Sequence, residues 1–374
     1  MALLNTIDPD GLDEFSVVFT DRSLNHMSKT FQGVMCDISA MLKAVYSADH
    51  VALVPGGGTY AMEAVARQFG SDAHALIVRN GWFSYRWSQI FDAGRFTAKT
   101  TVFKARQTGN DSRAPFAPAP VAEVTAAIRE ARPDVVFAPH VETSAGLILP
   151  DSYITALAAA AHEVGAILVL DCIASGCIWV DMQATGVDVL ISAPQKGWSA
   201  SPSAGLVMLS ERARARVDTT TSNSFALDLK KWLSIMQAYE GGGHAYHATM
   251  PTDALRGLRD TMLETRDYGF DKLKENQWAL GNAVRALLAS KGVRSVAADG
   301  FGAPGVVVSY TDDPDVQNGK KFIAEGMQIA AGVPLQCDEP ADFRTFRLGL
   351  FGLDKLYDVA GTIERLKAVF DRVL

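Results

Sequence analysis

Short apolar runs that stop at Gly, Pro, Asn or Asp alternate with stretches of helical periodicity through about residue 210. The runs are Val51–Val54, Ala75–Val78, Val135–Ala138, Ile167–Leu170, Val187–Ile191 and Gly205–Leu209. They are too short for core helices and apolar at every position, the pattern of strands covered on both faces. Between them Ala61–Phe69, Val121–Ala131 and Ser152–Val164 read as helices, the last with a cap expected at Asp151 or Ser152 after Pro150. Alternation of this kind predicts an α/β layout with a mostly parallel sheet. Beyond it, Leu255–Ser290 reads as one long helix, Val306–Tyr310 and Phe346–Leu348 as strands, and Asp354–Val373 as a closing helix. The expected division is a large domain over 1–268 and a smaller α+β domain over 269–374. The three prolines of Ala114–Pro120 predict a surface loop.

Composition narrows the class. The chain has 374 residues, 48% hydrophobic, with 35 Lys+Arg against 42 Asp+Glu and a formal net charge of −7. Collagen-like, disulfide-rich and disordered classes are excluded, and the length allows about two domains with real cores. The densest basic stretch, Glu211–Arg216, reads as a solvated helical face rather than a phosphate-tracking surface, so no nucleic-acid partner is expected. Cys36, Cys172, Cys177 and Cys337 are irregularly spaced, which fits a reducing compartment. Met1–Phe15 lacks the cationic start and apolar core of a signal peptide, and the apolar tract Ile154–Cys172 is broken by His162, Glu163 and Gly165. A cytoplasmic protein with no membrane association is the expectation. The seven histidines show no ligand spacing with Cys or acids, so no metal is expected. Trp179, Trp198, Trp232 and Trp278 read as packing, with Trp198 singled out because it lies two residues after Lys196.

Three strand ends carry candidate chemistry. In Val51–Glu63 a glycine cluster stands between a strand and a helix, where free N–H groups and the positive helix end can cradle a phosphate. Gly56, Gly58 and Ala61 also fit the dinucleotide pattern G-x-G-x-x-A, with Arg79 as a possible NADP contact, and a plain tight turn is the third reading. Asp171 closes an apolar strand, where open α/β sheets hold ligands and where a carboxylate can pair with a cationic ring nitrogen; a cap or turn residue is the alternative. Lys196 follows a buried strand among Ser, Pro, Gln and Gly, a position suited to a lowered pKa and imine chemistry. A phosphate, a basic ring nitrogen and an aldehyde meet in one ligand, pyridoxal phosphate. Asp171 would keep the ring nitrogen protonated, and Lys196 would bond to the aldehyde and later move the substrate's proton.

The run Asp171-Cys-Ile-Ala-Ser175, then Ser192-Ala-Pro-Gln-Lys196 and Pro202-Ser-Ala-Gly205, resembles the class V aminotransferases of pyridoxal phosphate fold type I. The likeness, covering about residues 25 to 350, is nearest to the alanine–glyoxylate and serine–glyoxylate branch. The resemblance implies an aspartate-aminotransferase-like large domain with a mostly parallel seven-stranded sheet. It also implies phosphate contacts from Gly57, Gly58, Thr59 and Gln195, a stacked ring from Phe83 in Asn80–Arg86 with Trp82 as runner-up, and Ile173 beside the cofactor. In His140–Gly146 it gives Thr143 a hydrogen bond near the cofactor's phenolic oxygen. Tyr246 and Thr249, in His244–Pro251, would reach the phosphate of a neighbouring subunit, implying a homodimer with composite sites. Arg347, in Phe346–Gly352, would grip the substrate carboxylate through two parallel hydrogen bonds.

Two departures stand out. The family's Gly-Pro-rich opening loop is replaced by Phe19–Lys29 after a short leader, which implies a remodelled entrance. Thr59 stands where the alanine–glyoxylate enzymes often carry His. The expected function is transfer of an amino group from a small alanine- or serine-like amino acid to glyoxylate or pyruvate by a ping-pong mechanism. A class V lyase or cysteine desulfurase is the alternative, motivated by Cys337 ten residues before Arg347; Gln195, where that group has His beside the lysine, weighs against it. Asp171, Lys196 and Arg347 together argue against a non-catalytic scaffold, and an NAD(P) oxidoreductase rests only on the glycine pattern and leaves Lys196 without a task.

Overall fold

The computed structural model describes residues 7–374; residues 1–6 of the Met1–Phe15 stretch lie outside it. The seven strands of the main sheet are β1 (His50–Pro55), β2 (His74–Arg79), β3 (Lys99–Lys104), β4 (Val135–Pro139), β5 (Ile167–Asp171), β6 (Val189–Ser192) and β7 (Ala204–Leu209). Their order across the sheet is β1-β7-β6-β5-β4-β2-β3. Only β7 runs against its neighbours, pairing antiparallel with both β1 and β6. All other pairs are parallel. Every residue of β4, β5, β6 and β7 is buried, as the unbroken apolar runs require. The edge strand β3, Lys-Thr-Thr-Val-Phe-Lys, is half-exposed, and its polar composition gave no strand signal.

The helices that position the site are α1 (Lys29–Tyr46), α2 (Gly58–Phe69) and α3 (Trp82–Gly94); α4 (Val121–Ala131) and α5 (Asp151–Glu163) follow in chain order. The cap expected at Asp151 or Ser152 is not made: Pro150 occupies that place, with Asp151 in the first turn, where its charge suits the helix dipole. Ala114–Pro120 is not a surface loop either. Ala114, Phe116 and Ala119 are buried, and Phe116–Ala117 pairs with Arg106–Gln107 in a short ribbon, since prolines end strands without excluding apolar burial. The basic run lies on α6 (Glu211–Thr219), but Arg212 reaches inward to the buried Asp188 at 2.9 Å.

The long helical stretch is two helices, α7 (Thr252–Tyr268) and α8 (Phe270–Ser290), broken at Gly269 with φ of 109°. Two apolar clusters meet near this break: one runs from Leu24 to Met262, and the other joins Leu273, Leu280 and Val284 of α8 to residues as far as Phe370. The second cluster takes in Val307 of β8 (Val306–Tyr310) and Phe346 and Leu348 of β10 (Thr345–Gly349); the two strands pair antiparallel, with the two-residue β9 (Ala330–Ala331) on the other side of β10. The closing helix α9 spans Val359–Val373, preceded by a short separate turn at Leu353–Tyr357. No described helix is long and apolar enough to cross a membrane.

Gly205 of β7 lies against the start of α2, where a Cβ would overlap Ala61 Cβ and the Gly57 carbonyl oxygen. Gly205→Ala is expected to lower folding stability by about 1–3 kcal/mol through overpacking, read as a lower denaturant midpoint at unchanged slope. An unchanged midpoint would contradict this close helix–strand packing.

Candidate active site

β2, β4, β5 and β6 end on one edge of the sheet, and β1, antiparallel to the reversed β7, ends there too. The loops leaving these ends enclose a cavity of about 400 Å³. Its lining includes Gly58, Thr59, Phe83, Thr143, Asp171, Ile173, Gln195, Lys196 and Arg347, brought together from segments far apart in sequence. Gly57 is the extended residue that caps α2 behind this wall. Its neighbour Gly58 sits so close to Ile173 that a Cβ would come within 2.5 Å of Ile173 Cδ1. The first N–H groups of α2 have no partner within the helix, and its first two residues, Gly58 and Thr59, line the cavity.

Asp171 ends β5 between β4 and β6, paired in register with Pro139 and Ile191. It is only 7% exposed, and its side chain accepts one hydrogen bond among the described residues, from the Ile173 N–H to Oδ1 at 2.9 Å. Burial pushes its pKa up to about 7, opposed by that hydrogen bond and by the positive charge of Arg86. Lys196 lies in the turn after β6, half-buried, with Nζ 5.1 Å from the Phe351 ring centroid. Burial lowers its pKa, and the positive charge of Arg347 lowers it further. Three residues on, Ser199 has a positive φ of 55° and its Oγ accepts the Leu353 N–H at 2.9 Å, tying the lysine turn to the C-terminal segment.

Glu142 did not stand out in the sequence, yet it organises one wall. Its carboxylate is fully buried and accepts from Phe83 N, Ser84 N, Ser84 Oγ, Ser144 N and Ser144 Oγ at 2.7–3.2 Å. Ser144 Oγ in turn accepts from Trp82 N at 2.9 Å. An anion at the N-terminus of α3 satisfies the helix's free donors and complements its dipole. The same cap fixes where Phe83 points: Phe83 lines the cavity, and its runner-up Trp82 does not. Arg86, one turn further along α3, also lines the cavity and was not singled out from the sequence. The only signal was its i, i+3 spacing from Phe83.

Arg347, on β10, donates from Nε to the Ala331 carbonyl at 2.8 Å, and its guanidinium carbon stands 5.7 Å from the Phe83 centroid. Tyr246 and Thr249 lie outside the cavity; Tyr246 is 54% exposed and its hydroxyl is 3.2 Å from Thr249 Oγ1. Cys337 is 4% exposed, with Sγ 3.4 Å from the Arg79 carbonyl oxygen and a thiol pKa pushed up to about 12 by burial. It packs in an apolar cluster with Ala105, Phe116 and Tyr310 and is not part of the cavity lining. Arg79 is likewise held inside, donating to Ser88 Oγ at 2.8 Å and stacking on Tyr85. Trp198 is buried against Trp179, 4.8 Å between centroids, as core packing. His140 is buried against Ser175 Oγ at 2.7 Å, with its pKa pushed down to about 3 by burial, so it is a neutral strand-end residue.

The aminotransferase class-V family profile matches residues 16–343. The chain is 24% identical over 349 residues to the soluble hydrogenase small subunit of a Synechococcus species, covering 92% of this chain and 86% of that protein. It is 27% identical over 274 residues to alanine–glyoxylate aminotransferase of Felis catus, covering 71% of this chain and 61% of that enzyme. Against 2-aminoethylphosphonate–pyruvate transaminase of Burkholderia thailandensis the identity is 30% over 281 residues, covering 71% and 69%. The solved structure of alanine–glyoxylate aminotransferase from a Nostoc species superposes with a TM-score of 0.75 at 22% identity, covering 93% of this chain and 89% of that one. With the profile matched over 16–343 and the fold type I architecture in place, the chain belongs to the class-V aminotransferase family.

Proposed function

We propose that this transaminase uses pyridoxal phosphate to move an amino group from a small alanine- or serine-like amino acid to glyoxylate or pyruvate in two half-reactions. The observation that carries the proposal is the meeting of Asp171, Lys196 and Arg347 in one cavity whose glycine end presents free helix N–H groups. The residues fit the cofactor on the evidence of Asp171 itself. A buried carboxylate with one donor on it and a raised pKa lacks a cationic partner, which a protonated ring nitrogen supplies. The names of the alanine–glyoxylate and aminoethylphosphonate–pyruvate relatives support small amino donors and small 2-oxo acids.

Bound in this cavity, pyridoxal phosphate supplies an electron sink for the charge left when the substrate's α-proton departs. The chain's own residues do the rest. Gly57, Gly58, Thr59 and Gln195 would hold the phosphate end, and Phe83 and Ile173 would hold the ring. Thr143 donates near the phenolic oxygen. Asp171 keeps the ring nitrogen protonated, an electrostatic role set before the reaction begins. Lys196, its ammonium disfavoured by burial and by Arg347, serves as the amine that anchors the cofactor aldehyde and then takes the proton from the substrate α-carbon at Nζ. Arg347 keeps the free edge of its fork for the substrate carboxylate, orienting the α-carbon toward Nζ. Val141, Ile173 and Phe351 give the cavity apolar walls that limit water. Exposed Tyr246 and Thr249 are assigned to the phosphate of a second subunit, which makes the functional unit a homodimer with shared sites, acting in the cytoplasm. The division into a cofactor domain over 1–268 and a small domain over 269–374 completes the proposal. The inward position of Cys337 favours transamination over sulfur transfer, because an acceptor thiol must reach the substrate.

Given L-alanine or L-serine and no acceptor, cofactor-loaded protein is expected to release about one equivalent of 2-oxo acid per site and then stop until glyoxylate or pyruvate is added. Continuous release from either donor alone, or no release from any small amino acid, would contradict the function. Asp171 gives a second outcome in the cofactor-free protein. A carboxyl whose folded pKa is raised to about 7 contributes stability that is full below its unfolded pKa near 3.8 and is lost as pH rises through about 7. Asp171→Asn should therefore gain thermal stability relative to the parent chain as pH increases from about 4 to about 8. Parallel melting curves across that range would show that the carboxylate is not strained by burial.

A further inference from the structure

On the reading that pyridoxal phosphate binds this cavity, we propose that Arg86 is the cationic partner of the cofactor's phosphate, taking the charge-balancing place beside the helix cradle that Thr59 cannot fill. Three observations converge. Arg86 donates from Nη1 to Thr59 Oγ1 at 2.9 Å, and Thr59 is the second residue of α2, whose free N–H groups form the cradle. Its guanidinium carbon lies 5.2 Å from the Phe83 centroid and the residue lines the cavity, so the side chain runs beside the ring that also lines it. That is its one side-chain hydrogen bond, and it makes no ion pair among the described residues, although Arg347 and Lys196 are the only other basic residues lining the cavity.

Charge decides the assignment. A phosphate ester at neutral pH carries about −1.5 to −2 charges. Helix N–H groups, a glutamine amide and a threonine hydroxyl supply partial charges only, and Lys196 and Arg347 have other partners in the proposed function. Arg86 alone offers a full positive charge in contact with the cradle. Its planar fork has five N–H donors and uses one on Thr59, leaving an edge able to meet two phosphate oxygens at once. Thr59 then acts as the positioning residue, holding the fork against the cradle. Arg86 also opposes the upward shift of the Asp171 carboxyl, so its field spans the cavity between the phosphate end and the ring nitrogen end.

The cofactor-free chain, as full-length protein, should be titrated with pyridoxal phosphate and with pyridoxal, which lacks the phosphate. The parent chain is expected to bind the phosphorylated form far more tightly. Arg86→Gln should lose on the order of 10–100-fold in affinity for pyridoxal phosphate, the size of one or two charge-assisted hydrogen bonds, with pyridoxal affinity unchanged. Arg86→Lys should recover part of the loss, and Thr59→Val should show a smaller loss of the same kind. In the ³¹P spectrum of the bound cofactor, the resonance should stay pH-independent in the parent and titrate in Arg86→Gln. Equal losses for both ligands would mean that Arg86 only shapes the pocket. Unchanged pyridoxal phosphate affinity, alone or with a raised KM for a substrate bearing a second anion, would overturn the proposal and place Arg86 on the substrate. Failure of the folded parent chain to bind either vitamer would instead overturn the cofactor reading on which it rests.

Discussion

A carboxylate closed inside protein with one donor on it is unstable as an anion unless a cation joins it, and the site is arranged around that demand. Asp171 is held at the end of β5 by pairing with β4 and β6 on both sides, so it cannot swing out to water. The residue before which it stops, and the Ile173 N–H that reaches back to it, leave one face of the carboxylate toward the cavity. The cost of burial appears as a proton held up to about pH 7. A ligand that brings a protonated ring nitrogen removes this cost, so binding and the electronic state needed for reaction are the same event.

The opposite wall depends on Glu142. One short segment, His140–Gly146, places Thr143 in the cavity and Glu142 behind it. Glu142 takes the N-terminal donors of α3 and so fixes the rotation of that helix. Phe83 and Arg86 follow from the rotation, one turn apart on the same face. The two guanidinium groups of Arg86 and Arg347 then stand near the Phe83 ring centroid at 5.2 and 5.7 Å, from α3 and from β10. The aromatic ring thus lies beside two cations that line the cavity, one on α3 and one on β10.

Much of this was legible in the chain. The apolar runs gave β1, β2 and β4–β7 because buried parallel strands have no polar face to disguise them. Asp171 and Lys196 were readable because a charged residue at the end of such a run is anomalous without a ligand. β3 was missed because an edge strand carries Lys and Thr, and the break at Gly269 was hidden inside continuous helical periodicity. Glu142 and Arg86 were missed for a different reason. Their roles arise only when α3 is set against the His140–Gly146 segment, and spacing in one segment carries no information about a partner 58 residues away.

The most direct test is borohydride reduction of the chain loaded with pyridoxal phosphate, followed by mass mapping of the modified peptide. The account predicts a yellow protein that bleaches on reduction and carries one reduced pyridoxyl phosphate group on Lys196. A label on any other side chain, or a folded protein that stays colourless when saturated with the vitamer, would contradict it.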